Sequence, residues 1–327
     1  MLGLNQNNRQ GVSIMRSSLG AAVLATALLA TGPALAADPE SCEDVTFSDV
    51  GWTDITATTA AASVVLDALD YDPETQILSV PVTYASLKNK DVDVFLGNWM
   101  PSMAADLKPY TDDGSVESLR ANLEGAKYTL AVPAYVTAAG VKNFADLATH
   151  KDKFGGKLYG IEPGNDGNRL IQDMIDKDAF GLKGWEVVES SEQGMLSQVA
   201  RAVRAKEWIV FLGWAPHPMN ANFELAYLAG GDDYFGPDYG GATVYTNVRA
   251  GLTKECPNLG RFLANLKFTL EMENAVMGLI LDDGMKPEKA AEKYLKAHPD
   301  LAMSWLDGVT TRKGGDAKAA LRKELGH

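Results

Sequence analysis

The sequence predicts an α/β fold built as two lobes joined by a hinge. Three observations carry the prediction. A short apolar phrase occurs twice, as Val-Phe-Leu-Gly-Asn-Trp-Met-Pro (94–101) and Val-Phe-Leu-Gly-Trp-Ala-Pro (210–216). Each copy reads as a buried strand closed by turn residues, and each delivers a tryptophan, Trp99 or Trp214, just past the strand's carboxyl end, the edge where open α/β sheets bind ligands. Strand-like and helix-like runs alternate on both sides of a central crossing, the pattern of parallel sheets with helical crossovers. Finally, 327 residues, 46% of them hydrophobic, are enough for two domains with sizeable cores. One Gly-Trp-x-Pro phrase alone is an ordinary turn carrying a half-buried aromatic. Two copies at equivalent strand ends point to two similar lobes, each presenting an indole to a shared space.

Residues 1–36 read as a secretory signal peptide. Arg9 and Arg16 supply its positive region, residues 19–29 its short apolar core, and Ala34-Leu35-Ala36 a small-x-small cleavage site. The core is too short to span a bilayer. Met15-Arg16 followed by the apolar run is already a complete signal, so Met15 is an alternative start to Met1. The segment holds no acid, so its removal changes the net charge from −13 to −15. So acidic a chain disfavours nucleic acid and anionic lipid as partners. An exported protein is expected.

The elements follow in order. Residues 45–50 read as the first strand. Gly51-Trp52-Thr53-Asp54 follows, where Thr53 or Asp54 can cap an Ala-rich helix running to Leu69. Residues 77–80 are a second strand, 83–89 a short helix, and 92–96 the strand that ends in Trp99. A polar helix around 115–123 leads to the strand 127–135, read as the crossing into the second lobe. There, 144–154 is helical, 158–161 a strand, 165–176 a helix, 186–188 a strand, 193–206 a helix, and 209–212 the second copy of the phrase. Residues 228–241 are loop-like, and 243–248 a strand returning to the first lobe. Residues 257–281 read as one long helix and 287–297 as another, before a polar tail. The first lobe thus comprises residues 37–127 and 242–327 and the second 128–241, with hinge crossings near 125–132 and 228–245. A clamp of this kind closes by domain rotation.

Cys42 and Cys256 are the only cysteines. In an exported protein an even pair reads as a disulfide. It would close a loop of roughly 200 residues, a constraint of about 5 kcal/mol in the chain-entropy model. Two buried free thiols are the alternative. The segment before Cys42 is polar, which argues against lipidation. Both cysteines belong to the first lobe, so a bridge would not block the hinge.

Four aromatic residues stand at strand ends or crossings: Trp52, Trp99, Tyr128 and Trp214. Asp54 lies two residues from Trp52, and Asn165 follows a second-lobe strand within Gly-Ile-Glu-Pro-Gly-Asn-Asp-Gly-Asn (160–168). Aromatic faces with one carboxylate suit a quaternary ammonium ion, which has no N–H to donate. Ring quadrupoles and desolvated methyl groups hold it, at roughly 0.5–2 kcal/mol per ring. Asp54 attracts a net cation and accepts from a hydroxyl, whereas a betaine's own carboxylate meets repulsion there. That favours choline, with Asn165 also facing its hydroxyl. Plainer roles stay open: Asp54 and Asn165 as helix caps, and Tyr128 as packing between the lobes. Trp185 and Trp305 read as core or interface residues and Trp208 as a strand-entry residue. Asp232, Asp233 and Asp238 lack the spacing of a calcium loop, so no metal is expected. Of four histidines only His217 lies near the cleft, and neither a Gly-x-Ser-x-Gly elbow nor a paired-histidine metal motif occurs. A binding module without cofactor is expected rather than an enzyme.

Five phrases carry a family resemblance. They are Phe-Ser-Asp-Val-Gly-Trp-Thr-Asp (47–54), Val-Phe-Leu-Gly-Asn-Trp-Met-Pro (94–101), Gly-Ile-Glu-Pro-Gly-Asn-Asp-Gly-Asn-Arg (160–169), Glu-Ser-Ser-Glu-Gln-Gly-Met-Leu (189–196) and Phe-Leu-Gly-Trp-Ala-Pro-His-Pro-Met (211–219). Together they resemble the periplasmic choline-binding proteins of ABC importers, within the wider group that binds glycine betaine, proline betaine and carnitine. The resemblance covers essentially the whole mature chain. It implies a bilobal periplasmic-binding-protein fold of the second type and a disulfide between Cys42 and Cys256. It implies a four-aromatic box of Trp52, Trp99, Tyr128 and Trp214 around a trimethylammonium group, with Asp54 and Asn165 on the choline hydroxyl. It further implies delivery to an ABC permease in the inner membrane. Acetylcholine lacks the hydroxyl donor and is expected to bind more weakly. The protein is expected to act as a monomer.

Overall fold

The computed structural model describes residues 37–326, so the signal-peptide reading of residues 1–36 lies outside the described residues. Nine strands form one sheet: β1 (Asp44–Asp49), β2 (Asp72–Ile77), β3 (Val94–Met100), β4 (Val116–Pro133), β5 (Lys157–Tyr159), β6 (Glu186–Val188), β7 (Phe211–Ala215), β8 (Leu225–Tyr227) and β9 (Gly241–Arg249). Their order is β2-β1-β3-β9-β4-β7-β5-β6, with β8 paired to β4. The sheet has an internal symmetry. The trio β2-β1-β3 is parallel, as is the trio β7-β5-β6. Between them run β9 and β4, antiparallel to each other and to the strand that each borders. Those bordering strands, β3 and β7, are the two copies of the repeated phrase. Both copies end in a cis X-Pro bond, Met100-Pro101 and Ala215-Pro216. The mixed α/β class read from the sequence is the one observed, with its two parallel parts joined into a continuous sheet.

Each parallel part packs against helices. Helix α1 (Thr53–Ala68) buries almost its entire length, because its Ala, Thr and Ser side chains are small enough for neighbours to approach from every side. Phe47, Phe95, Phe211 and the other strand residues facing the helices are fully buried and continuous with one hydrophobic core. Cys42 and Cys256 are joined as a disulfide with their Cα atoms 5.9 Å apart. Beside it the Asp38 carboxylate accepts from the backbone N–H groups of Asn258 and Leu259, fixing the start of the described chain to the helix Pro257–Asn265. Among the described residues, Asp38, Cys42 and Cys256 group closely enough to suggest metal ligation. The sulfurs are bonded to each other, which removes both thiolates from that role.

Four local readings are corrected. Residues 115–123 are not helical; from Val116 they form the first half of β4, paired with β9 from Val116 opposite Arg249 to Lys127 opposite Gly241 with register shifts between. The second strand lies earlier than 77–80, at Asp72–Ile77, on the open edge of the sheet. The run 257–281 is two helices, Pro257–Asn265 and Leu270–Leu281, because the Phe268 N–H leaves the helix to donate to the Asn122 carbonyl at 2.7 Å and Thr269 caps a new start. Residues 144–154 are two short helices, Phe144–Ala148 and Lys151–Phe154.

Candidate functional site

Trp52, Asp54, Trp99, Tyr128, Ile161 and Trp214 line one cavity, a space of about 260 Å³ counted with its open mouth. The strands explain the convergence. Trp52 is the cap residue between β1 and α1; Trp99, opposite Val244 of β9, and Trp214 are the penultimate residues of β3 and β7 rather than lying past the strand ends. Tyr128 on β4 stands in register with Trp214 on β7. All four rings are less than a tenth exposed. Tyr128 meets Trp99 edge-on at 6.0 Å between centroids and Trp214 at 6.4 Å. Behind it, Phe235 packs edge-on at 5.7 Å. The Trp52 indole N–H donates to Glu162 at 2.8 Å, which fixes the ring face toward the cavity.

Asp54 is not the cap of α1; it sits one residue inside the first turn, 1% exposed. Its Oδ2 accepts from the Trp99 indole N–H at 3.1 Å, and its Oδ1 is buried without a hydrogen-bond partner. Burial pushes the Asp54 carboxyl up to about 8, with the nearby Glu192 carboxylate adding to the rise, while backbone N–H groups and Trp99 oppose it. Burial also raises Glu162 to about 7 and Asp166 to about 6. Glu273, buried behind Asp54, is raised by burial and by Asp54 itself. The cavity is therefore apolar at its walls and acidic in its surroundings. Both features favour a cation whose charge is shielded by carbon.

Asn165 is the cap of the helix Asp166–Asp176, accepting from the Asn168 N–H at 3.0 Å. The same oxygen accepts from the Tyr128 hydroxyl at 3.0 Å, so Asn165 supports the box from behind and does not line the cavity. Two glycines permit this grip on Tyr128. A Cβ on Gly167 would fall 2.0 Å from the Tyr128 hydroxyl oxygen, and one on Gly240 (φ +73°) 2.0 Å from its carbonyl oxygen. Asn165→Ala should lower stability by about 1 kcal/mol through the lost cap, read as a shift in the denaturation midpoint. Freed from Asn165, Tyr128 should also show altered near-ultraviolet circular dichroism.

The chain matches the model of a protein family over residues 43–297, described as the substrate binding domain of an ABC-type glycine betaine transport system. It belongs to that family. Its work accordingly lies outside the cytoplasm, with a small-molecule ligand and a permease as partner. An ABC-transporter choline-binding protein solved in complex with choline is 64% identical over 88% of this chain and all of that one, with a TM-score of 0.87. The same description in an unliganded semi-closed conformation gives 0.81 at equal identity and coverage. A glycine betaine/carnitine transport binding protein, GbuC, of Listeria monocytogenes is 32% identical over 161 residues, 49% of this chain and 52% of that relative.

Sequence reasoning named five of the six residues lining the cavity. Ile161, two residues beyond the end of β5 and inside a quoted phrase, carries no polar or aromatic signal of its own. Glu162, Phe235, Glu192 and His217 were given no role. Glu162 stood in the same phrase and Glu192 in another, but their partners, Trp52 and Thr53, lie 110 and 139 positions away in the chain.

Proposed function

We propose that this substrate-binding protein captures choline in the box of Trp52, Trp99, Tyr128 and Trp214 and delivers it to an ABC permease. The observation that carries the reading is Asp54, whose buried Oδ1 has no hydrogen-bond partner, on the wall of a cavity lined by four aromatic rings. The rings hold the trimethylammonium group by their quadrupoles. Asp54 neutralises its charge and accepts from the hydroxyl, and Asn165 acts by orienting Tyr128. Similarity to a protein solved with choline supports the assignment. The lobes are residues 37–127 with 242–327, and 128–241, and they rotate about crossings near 125–132 and 228–245. The paired β4 and β9, which join the two parallel trios, support this division. Bound ligand shifts the population toward the closed form that docks on the permease. The protein is secreted to the periplasm through the signal at 1–36, acts as a monomer and catalyses no reaction; His217 faces Glu192 rather than the cavity. Acetylcholine, without the hydroxyl, binds more weakly.

One observation favours a second reading, with glycine betaine, proline betaine or carnitine as ligand. A carboxyl raised to about 8 is largely neutral at pH 7, so Asp54 then no longer repels a ligand's carboxylate. Calorimetric titration of refolded, ligand-stripped protein with choline, glycine betaine and carnitine separates the two. The expected result is tight one-to-one choline binding, weak betaine binding, and a loss of choline affinity on Asp54→Asn of about tenfold or more. Tight betaine binding that survives Asp54→Asn would reassign the ligand and leave the box.

A further inference from the structure

Resting on that reading of two lobes closing over a ligand, the geometry points to Glu192 as the latch that holds the closed form together. Glu192 begins the helix Glu192–Ala205 in the second lobe and is 1% exposed. Its carboxylate reaches the first lobe. One oxygen accepts from the Thr53 backbone N–H at 2.9 Å, and the other from the Thr53 hydroxyl at 2.5 Å. Thr53 is the first residue of α1, whose cap residue Trp52 makes no side-chain capping bond. The first N–H groups of a helix lack internal partners and carry partial positive charge. Glu192 supplies α1 with the missing acceptor from the opposite lobe, so the bond exists only while the lobes are together.

The other side of Glu192 leads back to the box. His217, 2% exposed, accepts from the Met219 N–H through Nδ1 at 2.9 Å. That assigns the ring proton to Nε2, which donates to Glu192 at 3.3 Å. The His217 ring in turn packs edge-on against Trp214 at 5.0 Å. A continuous line therefore runs from the wall residue Trp214 through His217 and Glu192 to Thr53, next to Trp52 and Asp54. Neither Glu192, His217 nor Thr53 lines the cavity. Other polar bridges between the lobes away from the box, Arg169 to Asp106 at 2.7 Å and Asn222 to Asp282 at 3.3 Å, are open to solvent on at least one side; Glu192 is buried. The same carboxylate stands among Asp49, Asp54 and Glu162, acids that it disfavours electrostatically. Closing on an empty box gathers like charges, and a bound cation offsets them.

The test uses the full chain, stripped of ligand, with Glu192→Ala and Glu192→Gln. Choline dissociation by stopped-flow tryptophan fluorescence is expected to accelerate about tenfold or more in Glu192→Ala, with association little changed. The melting temperature of the ligand-free form should stay at the wild-type value while the rise produced by choline shrinks. Glu192→Gln, which keeps one acceptor, should recover part of both. If the ligand-free melting temperature falls as far as the bound one, Glu192 merely stabilises its own lobe and the latch is wrong; unchanged dissociation overturns it equally. Wild-type protein that ignores choline but binds glycine betaine would sink the ligand reading instead, and the same variants then read the latch with glycine betaine.

Discussion

Trp99→Ala is expected to weaken choline binding by roughly 100- to 1,000-fold, because the side chain does two things at once. Its ring is one wall of the box, worth up to about 2 kcal/mol against a desolvated quaternary ammonium. Its indole N–H also donates to Asp54 at 3.1 Å, and a hydrogen bond to a charged group contributes about 1.5–3 kcal/mol. At about 1.4 kcal/mol per decade the two together exceed the effect of removing any ring that lacks the second role. Trp99→Phe separates them. It keeps a ring face and loses the donor, so it should fall between wild type and Trp99→Ala. Titration calorimetry of the three proteins measures the ladder. An affinity for Trp99→Ala within a few-fold of wild type would remove Trp99 from the box, and equal losses for Phe and Ala would assign its whole effect to Asp54. Trp52→Ala should cost less, since the Trp52 indole N–H donates to Glu162, which does not line the cavity.

The repeated phrase made the sheet and the site legible together. A strand that is apolar along its length and ends in Gly, Trp and Pro announces both a buried position and a residue delivered to the sheet's edge, and β3 and β7 occupy equivalent places. What stayed hidden depended on distant partners. Residues 116–123 alternate polar and apolar but are rich in helix-favouring Glu, Leu, Arg and Ala, and pairing with β9 overrides that preference. The strand Asp72–Ile77 carries polar residues because it lies at the sheet's edge and leaves most of its side chains in solvent, so no apolar run marks it. The helix break at Phe268 comes from a bond to Asn122, which no local pattern encodes. The same holds for the site. Aromatic walls announce themselves at strand ends, whereas Glu192 resembles any first-turn acid favoured by a helix N-terminus until the fold shows that it meets a different helix.

Choline affinity should rise with pH up to about 8 and then level off, with close to one proton released per choline bound between pH 6 and 7. The sign follows from Asp54. In the closed box without ligand, burial holds its carboxyl up near 8, so at pH 6 the group is protonated. A quaternary ammonium favours the charged form, so binding lowers that value and expels the proton. While the free form is protonated and the bound form is not, affinity changes about tenfold per pH unit. Stability obeys the same linkage. A folded-state value above the unfolded one, near 3.8, gives a contribution that is full below pH 3.8 and lost as pH rises through 8. Glu162, raised to about 7, and Asp166, raised to about 6, act in the same direction. The closed form without ligand should therefore lose stability between pH 5 and pH 8.5, and the gain in melting temperature produced by choline should be larger at the alkaline end. Titrations in two buffers of different ionisation enthalpy count the proton directly. Asp54→Asn should abolish most of the count and flatten the profile, whereas Trp99→Phe, by removing a bond that holds Asp54 down, should shift the profile toward higher pH. A proton count near zero with a pH-independent affinity would mean that Asp54 keeps the same protonation state with and without choline, so that no proton is displaced on binding.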